Sequence, residues 1–231
     1  LPEGGNIISS RSQCRNCQKL IRWFDNIPLV SYIILGQKCR NCGSKISFQY
    51  FAVELLVALG FVISFYYFQF SLTTLLFFVL TVFFVIIFFI DLKHFIIPNE
   101  LTFPLMFIGF LKSFDPNINQ YLFPNYINSI IGGVIGYFVI WFIIFIYKKL
   151  RNKEGMGLGD AKLLSAIGFW FGWISIPFVL FFSSLVALCF AIPSLMNKSK
   201  TMSSKIPFGP YLVLGCILYV SLLEKIILFL D

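Results

Sequence analysis

Charge is scarce in this chain. Asp, Glu, Lys and Arg together make up 12% of its 231 residues, where a soluble domain carries about a quarter. That scarcity excludes an ordinary soluble globule. It equally excludes an intrinsically disordered chain, which needs abundant charge and few aromatics. Histidine occurs once, at His94, which argues against a serine–histidine mechanism. The first 50 residues hold no apolar run of membrane-span length and no signal peptide. The chain opens on Leu1 rather than Met, so an upstream segment is expected.

What is abundant is apolar. Hydrophobic residues reach 58%, thirty of them phenylalanine, with ten tyrosines besides, and the mean hydropathy is +0.87. Water does not tolerate that aromatic load on an exposed surface. The net charge of +8 sits in short loops beside long apolar runs, as cytoplasmic loops of membrane proteins do. A nucleic-acid binder would gather it on one basic face, so no nucleic-acid partner is expected.

Two zones follow. Residues 1–50 are polar, basic and cysteine-bearing, and are read as a small cytoplasmic domain; residues 51–231 are read as the transmembrane domain. Seven candidate spans are Phe51–Phe70, Leu72–Ile90, Asn99–Lys112, Tyr126–Tyr147, Ala161–Trp173, Ile176–Met196 and Pro207–Leu228. The third and fifth are short for a span of roughly 20 residues, and are either tilted within a bundle or re-entrant. The fold class is thus an all-α polytopic membrane protein of about seven transmembrane helices plus a cysteine domain. With residues 1–50 cytoplasmic, alternation puts 16 of the 18 Lys and Arg on the cytoplasmic side, leaving Lys112 and Lys225. The same alternation puts Asp91 and Asp160 together on that side.

Cys14-Arg-Asn-Cys17 and Cys39-Arg-Asn-Cys42 form two C-x2-C knuckles. Such pairs suit a four-thiolate zinc site, and a segment this poor in apolar residues needs a metal to hold a core. The alternatives are disulfides, which a reducing cytoplasmic setting disfavours, or four unpaired thiols. Cys189 and Cys216 fall in apolar runs and read as ordinary buried residues.

Asp91 ends the run Phe83 to Ile90 and precedes Pro98, which should stop any helix. An ionisable group at membrane depth suggests function, although an interfacial aspartate can simply mark where a helix leaves lipid. Asp160 follows alternating glycines in Gly155-Met156-Gly157-Leu158-Gly159, with an irregular backbone suited to close approach. It is also a favoured residue to N-cap a span starting at Ala161. Two carboxylates at the cytoplasmic ends of different spans can share a proton and activate a water between them.

At this point the residues resemble a family, the prepilin peptidases (type IV leader peptidases, the A24 aspartic peptidases). Arg11 to Cys14, Trp23, Asp25 to Tyr32, the second knuckle and Val53 to Leu56 are similar to the family's cysteine domain. Asp91 with Ile97-Pro98-Asn99 resembles its first catalytic motif. Gly157-Leu158-Gly159-Asp160 with Lys162-Leu163 resembles the second, and Ile206 to Pro210 the motif that opens the last span. The resemblance implies an aspartic endopeptidase with Asp91 and Asp160 catalytic, in the bacterial inner membrane with its active site facing the cytoplasm. It implies type IV prepilin or pseudopilin substrates, cut after a glycine. It also implies N-methylation of the new terminus with S-adenosylmethionine as cofactor, although no glycine-rich fingerprint for that cofactor is present. Family members begin with a further transmembrane helix that this chain is expected to lack. Glu154, His94 and Lys162 are candidates for positioning substrate or site.

Three other readings remain open from sequence. An ion- or proton-coupled transporter would use the aspartates as a coupling site. A scaffold would use only the cysteine module. A presenilin-like intramembrane protease would share the glycine-x-glycine-aspartate element.

Overall fold

A computed structural model describes residues 12–14, 16–115, 122–151, 157–196 and 207–230. Arg11, Arg15, Glu154 and Ile206, singled out above, lie outside the described residues. The chain divides into two compact units, Leu1–Tyr67 and Phe68–Asp231, so the first long apolar helix goes with the cysteine segment.

In the first unit, a 3-10 turn (Trp23–Asn26) and a short helix α1 (Val30–Ile34) separate the knuckles, and α2 (Phe48–Phe68) follows. Isolated antiparallel bridges Gln13–Leu20 and Lys38–Lys45 each close a loop around one knuckle. There is no strand among the described residues beyond these bridges, as an all-α chain requires.

The second unit holds α3 (Leu72–His94), α4 (Asn99–Lys112), α5 (Tyr126–Arg151), α6 (Leu158–Phe171), α7 (Ser175–Met196) and α8 (Gly209–Leu230). Each of the seven apolar stretches read from sequence is a helix, α2 to α8, with ends shifted by a few residues. Of these, α2, α3 and residues 126–150 of α5 are long and apolar enough to cross a membrane outright. Helices α4 and α6, at 14 residues each, are too short to do so alone.

Helix α6 is the buried axis of this unit. Leu163, Leu164, Ala166, Ile167 and Trp170 have no exposed surface, and α4, α5, α7 and α8 all pack on it. The α5–α6 contact is made by small residues: a side chain on Gly132 would fall on the carbonyl of Gly168, and one on Gly168 on Gly132. Small residues let backbones approach where lipid offers no hydrophobic drive for association. Ser165 Oγ donates to the Gly133 carbonyl at 2.8 Å and Ser129 Oγ to that of Phe169 at 2.7 Å, tying the same pair of helices.

Asp91 lies inside α3, not past its end. The helix runs on through Lys93 and His94, whose positive charge suits a helix C-terminus. It closes on Phe95 in the left-handed region (φ 56°), whose amide bonds the Asp91 carbonyl at 2.9 Å. Pro98 then caps α4, so the stop expected at Pro98 falls three residues after the helix has ended.

Candidate active site and cysteine cluster

Three helix ends meet around Asp91 and Asp160. Helix α8 packs against both α3, which carries Asp91, and α6, which carries Asp160. Asp91 is 4% exposed and Asp160 7%. A side chain on Gly209 would meet both Asp91 and Ile97, and one on Gly159, beside Asp160, would meet Ile97 as well, so the two helix ends share one neighbour. The two residues singled out from sequence are therefore brought to one buried site.

The first-turn amides of a helix have no intrahelical acceptor. In α8 the second residue, Pro210, has no N–H at all, so Gly209 supplies the donor. Its amide bonds Asp91 Oδ2 at 3.0 Å. A Cβ on residue 209 would sit 2.7 Å from that oxygen, so glycine is what permits the approach.

Asp160 is at the third position of α6, whose N-cap is Gly157. The sequence suggested Asp160 as the N-cap itself. Because the helix begins at Leu158, its side chain instead reaches back, and Oδ2 accepts from the Gly157 amide at 3.3 Å. Each aspartate thus accepts one backbone amide through one oxygen.

Ile97 spaces the site. Side chains built on Gly159 and on Gly209 would each meet it at 3.0 Å, so the link from α3 to α4 is wedged against the first turns of α6 and α8. Lys162 completes the frame. Its Nζ donates to Asn99 Oδ1 at 2.6 Å and lies 5.5 Å from the Phe103 ring centre. It therefore ties the segment after Asp91 to the helix of Asp160. His94 is exposed and makes no contact described at the pair.

Sequence reasoning did not assign the Gly209 amide or the Ile97 wedge. The Ile206-to-Pro210 motif carried a signal: glycine next to proline opening an apolar helix leaves one free amide. Backbone donors are invisible to a search for side-chain chemistry.

The four cysteines of the first unit also converge. The sulphurs of Cys14, Cys17, Cys39 and Cys42 all lie within 4.8 Å of one another, with Cys14 and Cys42 Sγ 3.8 Å apart. Tetrahedral zinc with Zn–S bonds near 2.3 Å demands sulphur separations of about 3.8 Å. The two knuckles share one backbone pattern. The residue after each second cysteine, Gln18 (φ 54°) or Gly43 (φ 68°), is left-handed and returns its amide to the first cysteine's carbonyl, at 2.8 and 2.9 Å. Cys14 is pulled down to about 6 by the amides of Cys17 and Asn16 and the Ser44 hydroxyl. The Lys19 amide pulls Cys17 the same way, but desolvation and the neighbouring sulphurs outweigh it and push Cys17 up to about 11. A tetrad of this geometry is able to hold a metal ion. Cys216 is buried, while Cys189 is exposed at the helix surface rather than buried as its apolar run suggested.

An all-helical, multi-span membrane fold with two aspartates buried at its helix ends defines a class of membrane protein, and comparison defines it further. Residues 78–192 match the type IV leader peptidase family, and residues 1–68 the bacterial peptidase A24 N-terminal domain. The prepilin leader peptidase/N-methyltransferase of Aeromonas salmonicida (strain A449) is 39% identical over 213 residues, covering 91% of this chain and 70% of its own length. The protein of that name from Pseudomonas aeruginosa is 35% identical over 211 residues, covering 91% and 71%. That from Neisseria gonorrhoeae is 35% identical over 217 residues, covering 94% and 73%. No solved structure matches the chain. This chain belongs to the type IV leader peptidase family.

Proposed function

We propose that the chain is a membrane aspartyl endopeptidase that removes the leader from type IV prepilins or pseudopilins, with Asp91 and Asp160 as its catalytic pair. The observation that carries the assignment of residues is their burial at the ends of α3 and α6, around the shared neighbour Ile97. In this mechanism one member of the pair is ionised and the other protonated, since neighbouring carboxylates resist ionising together. The ionised member takes a proton from a water placed between the two, and the water oxygen attacks the carbonyl carbon of the scissile peptide. The protonated member gives its proton to the carbonyl oxygen, forming a gem-diol. The diol then collapses: one hydroxyl returns a proton to the aspartate that had donated its own, the C–N bond breaks, and the proton gained from water goes to the leaving amine, which leaves the pair again with one proton.

The positive-inside count supports an orientation in which this pair faces the cytoplasm of a bacterial inner membrane. A prepilin with its apolar helix in lipid and its basic leader at the surface would bring its scissile bond to that depth. The relatives' names include N-methyltransferase, which supports a second activity for this chain, methylation of the new terminus with S-adenosylmethionine as the methyl donor. Zinc is the metal that fits the cysteine tetrad, by sulphur spacing and by the all-thiolate donor set. Cys14, Cys17, Cys39 and Cys42 would hold it, and its role there is to fold the segment.

The test is to incubate the purified chain in lipid with a prepilin and weigh the product. Loss of the leader, abolished by Asp91→Asn or Asp160→Asn, supports the assignment; the added mass of one methyl group reports the second activity. Cleavage that survives either substitution removes that aspartate from the mechanism.

A further inference from the structure

Helix α1 is oriented the wrong way round for a water-soluble domain. Val30, Ile33 and Ile34 stand at helical spacings of three and four and face outward, Ile33 69% and Ile34 72% exposed. Only Tyr32, 8% exposed, points inward. The preceding 3-10 turn continues the pattern, with Trp23 81% exposed. Single exposed apolar residues need no explanation, but an outward-facing aliphatic face beside an exposed tryptophan marks an interaction surface.

Its neighbours fix the depth of this surface. Tyr32 stacks on Phe51 with ring centres 5.1 Å apart. The Leu29 amide donates to Glu54 Oε2 at 2.8 Å. Leu29 holds φ 61° to do so, a region costly for a leucine by about 1–3 kcal/mol, so this loop is held against α2 rather than resting there. Helix α2 has 21 residues, about 31 Å, which only just spans the hydrocarbon core. Its first turns therefore lie at the lipid boundary, and Phe51 and Glu54 are within the first two of them. The outward face of α1 is pinned at the same level.

Charge selects the occupant. Lys19, Arg22 and Lys38 flank the apolar residues, while of the described acids nearby Glu54 accepts the Leu29 amide and Asp25 is paired with Arg40, which reaches it with bonds of 2.7 and 2.9 Å. Arg40 holds the Asp25 carboxyl below its ordinary range, so it stays ionised and paired. A basic peptide would be repelled by what remains, and an anionic surface attracted. Tryptophan and long aliphatics beside lysine and arginine are the composition of an interfacial anchor.

We propose that Trp23, Val30, Ile33 and Ile34 insert into the acyl–headgroup boundary of the leaflet in which α2 begins, with Lys19, Arg22 and Lys38 on its anionic phospholipid headgroups. The cysteine segment is then fastened to the bilayer beside its span and does not hang free in water. The proposal needs α2 to be a span and does not depend on the peptidase reading.

The test uses the full chain in nanodiscs whose lipids carry bromine at defined depths, which quenches nearby tryptophan. The emission of Trp23 is taken as the difference between the wild type and Trp23→Phe, a substitution at an exposed site. Loss of most of this component with bromine near the headgroup end of the chain, less loss with bromine at mid-bilayer, and stronger loss with phosphatidylglycerol than with phosphatidylcholine alone are expected. An Ile33→Asp/Ile34→Asp variant should release Trp23 from the quencher. A Trp23 component indifferent to brominated lipid overturns the proposal, because the face is then covered by protein or by water. Equal quenching with and without phosphatidylglycerol overturns the assignment to an anionic surface.

Discussion

The amide of Gly209 reaches Asp91 Oδ2 at 3.0 Å across 118 residues of sequence, joining the start of the last helix to the end of the third. One oxygen of Asp91 is held this way; in the proposed mechanism the other meets water and substrate. A methyl group at 209 would press on the carboxylate at 2.7 Å. Gly209→Ala is therefore expected to lower kcat about tenfold or more, the effect of losing roughly 1.4 kcal/mol of orientation from one hydrogen bond. KM should change little, since the amide touches the aspartate and not the substrate. Steady-state cleavage of a prepilin peptide measures both. A variant with normal kcat would mean that the contact only packs the helices.

The proposed mechanism has the two aspartates act on one water, so their losses should not add. Asp91→Asn and Asp160→Asn are each expected to cut kcat by about 10³-fold, within the range for an acid–base pair. The double variant should be scarcely worse than either single one. Single-turnover cleavage with excess enzyme resolves rates this low. Full additivity, a loss near 10⁶-fold, would place the two residues in separate steps.

Lys162 is the testable strut. It bonds Asn99 at 2.6 Å near the surface and so links the Asp91 and Asp160 segments without touching either carboxylate. Lys162→Met should reduce kcat several-fold and leave KM nearly unchanged. Lys162→Arg, which can still donate to Asn99, should recover most of the rate. Asn99→Ala should add little on top of Lys162→Met, because either change breaks the same bond. Independent losses in that cycle would assign Lys162 to substrate charge instead.

The helices and the aspartates were legible because each leaves a one-dimensional mark. Span length, loop charge and proline breaks located α2 to α8, and rare acids in an apolar chain pointed to Asp91 and Asp160. What stayed hidden was anything that depends on which helix end meets which. The burial of α6 was concealed by its brevity: Leu158–Phe171 looks like a weak span when read by length, yet it is the axis others pack on. The role of Gly209 was concealed because its donor belongs to the backbone. The outward face of α1 was concealed because five residues give too short a pattern to tell inside from outside.

Metal should govern the first unit alone. Its described part holds few buried apolar side chains, and the four sulphurs lie within 4.8 Å of one another. One zinc per chain is expected by elemental analysis, falling to none in Cys14→Ser/Cys42→Ser. Chelation should expose the 12–47 segment to proteolysis while α3 to α8 stay protected, because a structural zinc site supplies folding free energy to its own segment. A metal-free preparation equally resistant to protease would leave the cysteines without that role.

Lys112, which sequence counting left on the minority side of the membrane, is buried inside the second unit at 6% exposure. Its Nζ donates to the Trp170 carbonyl at 2.7 Å and lies 3.8 Å from the centre of the Phe123 ring. Trp170 is one residue from the end of α6, where carbonyls lack intrahelical donors and the dipole is negative, so the cation caps this helix. The Trp170 indole returns a bond to the Leu105 carbonyl at 2.8 Å, locking α4 to α6 at that end. Lys112→Ala should cost about 1–3 kcal/mol by leaving the carbonyl unpaired and a hole against Phe123. Helix α4 separates Lys112 from Asn99 by about 20 Å, so cleavage per folded molecule should be retained. Thermal unfolding in detergent beside active-site titration tells the two apart. A variant that unfolds like the wild type but cleaves slowly would show that this end of α6 communicates with Asp160, fourteen residues being few enough for one rigid rod to carry the displacement.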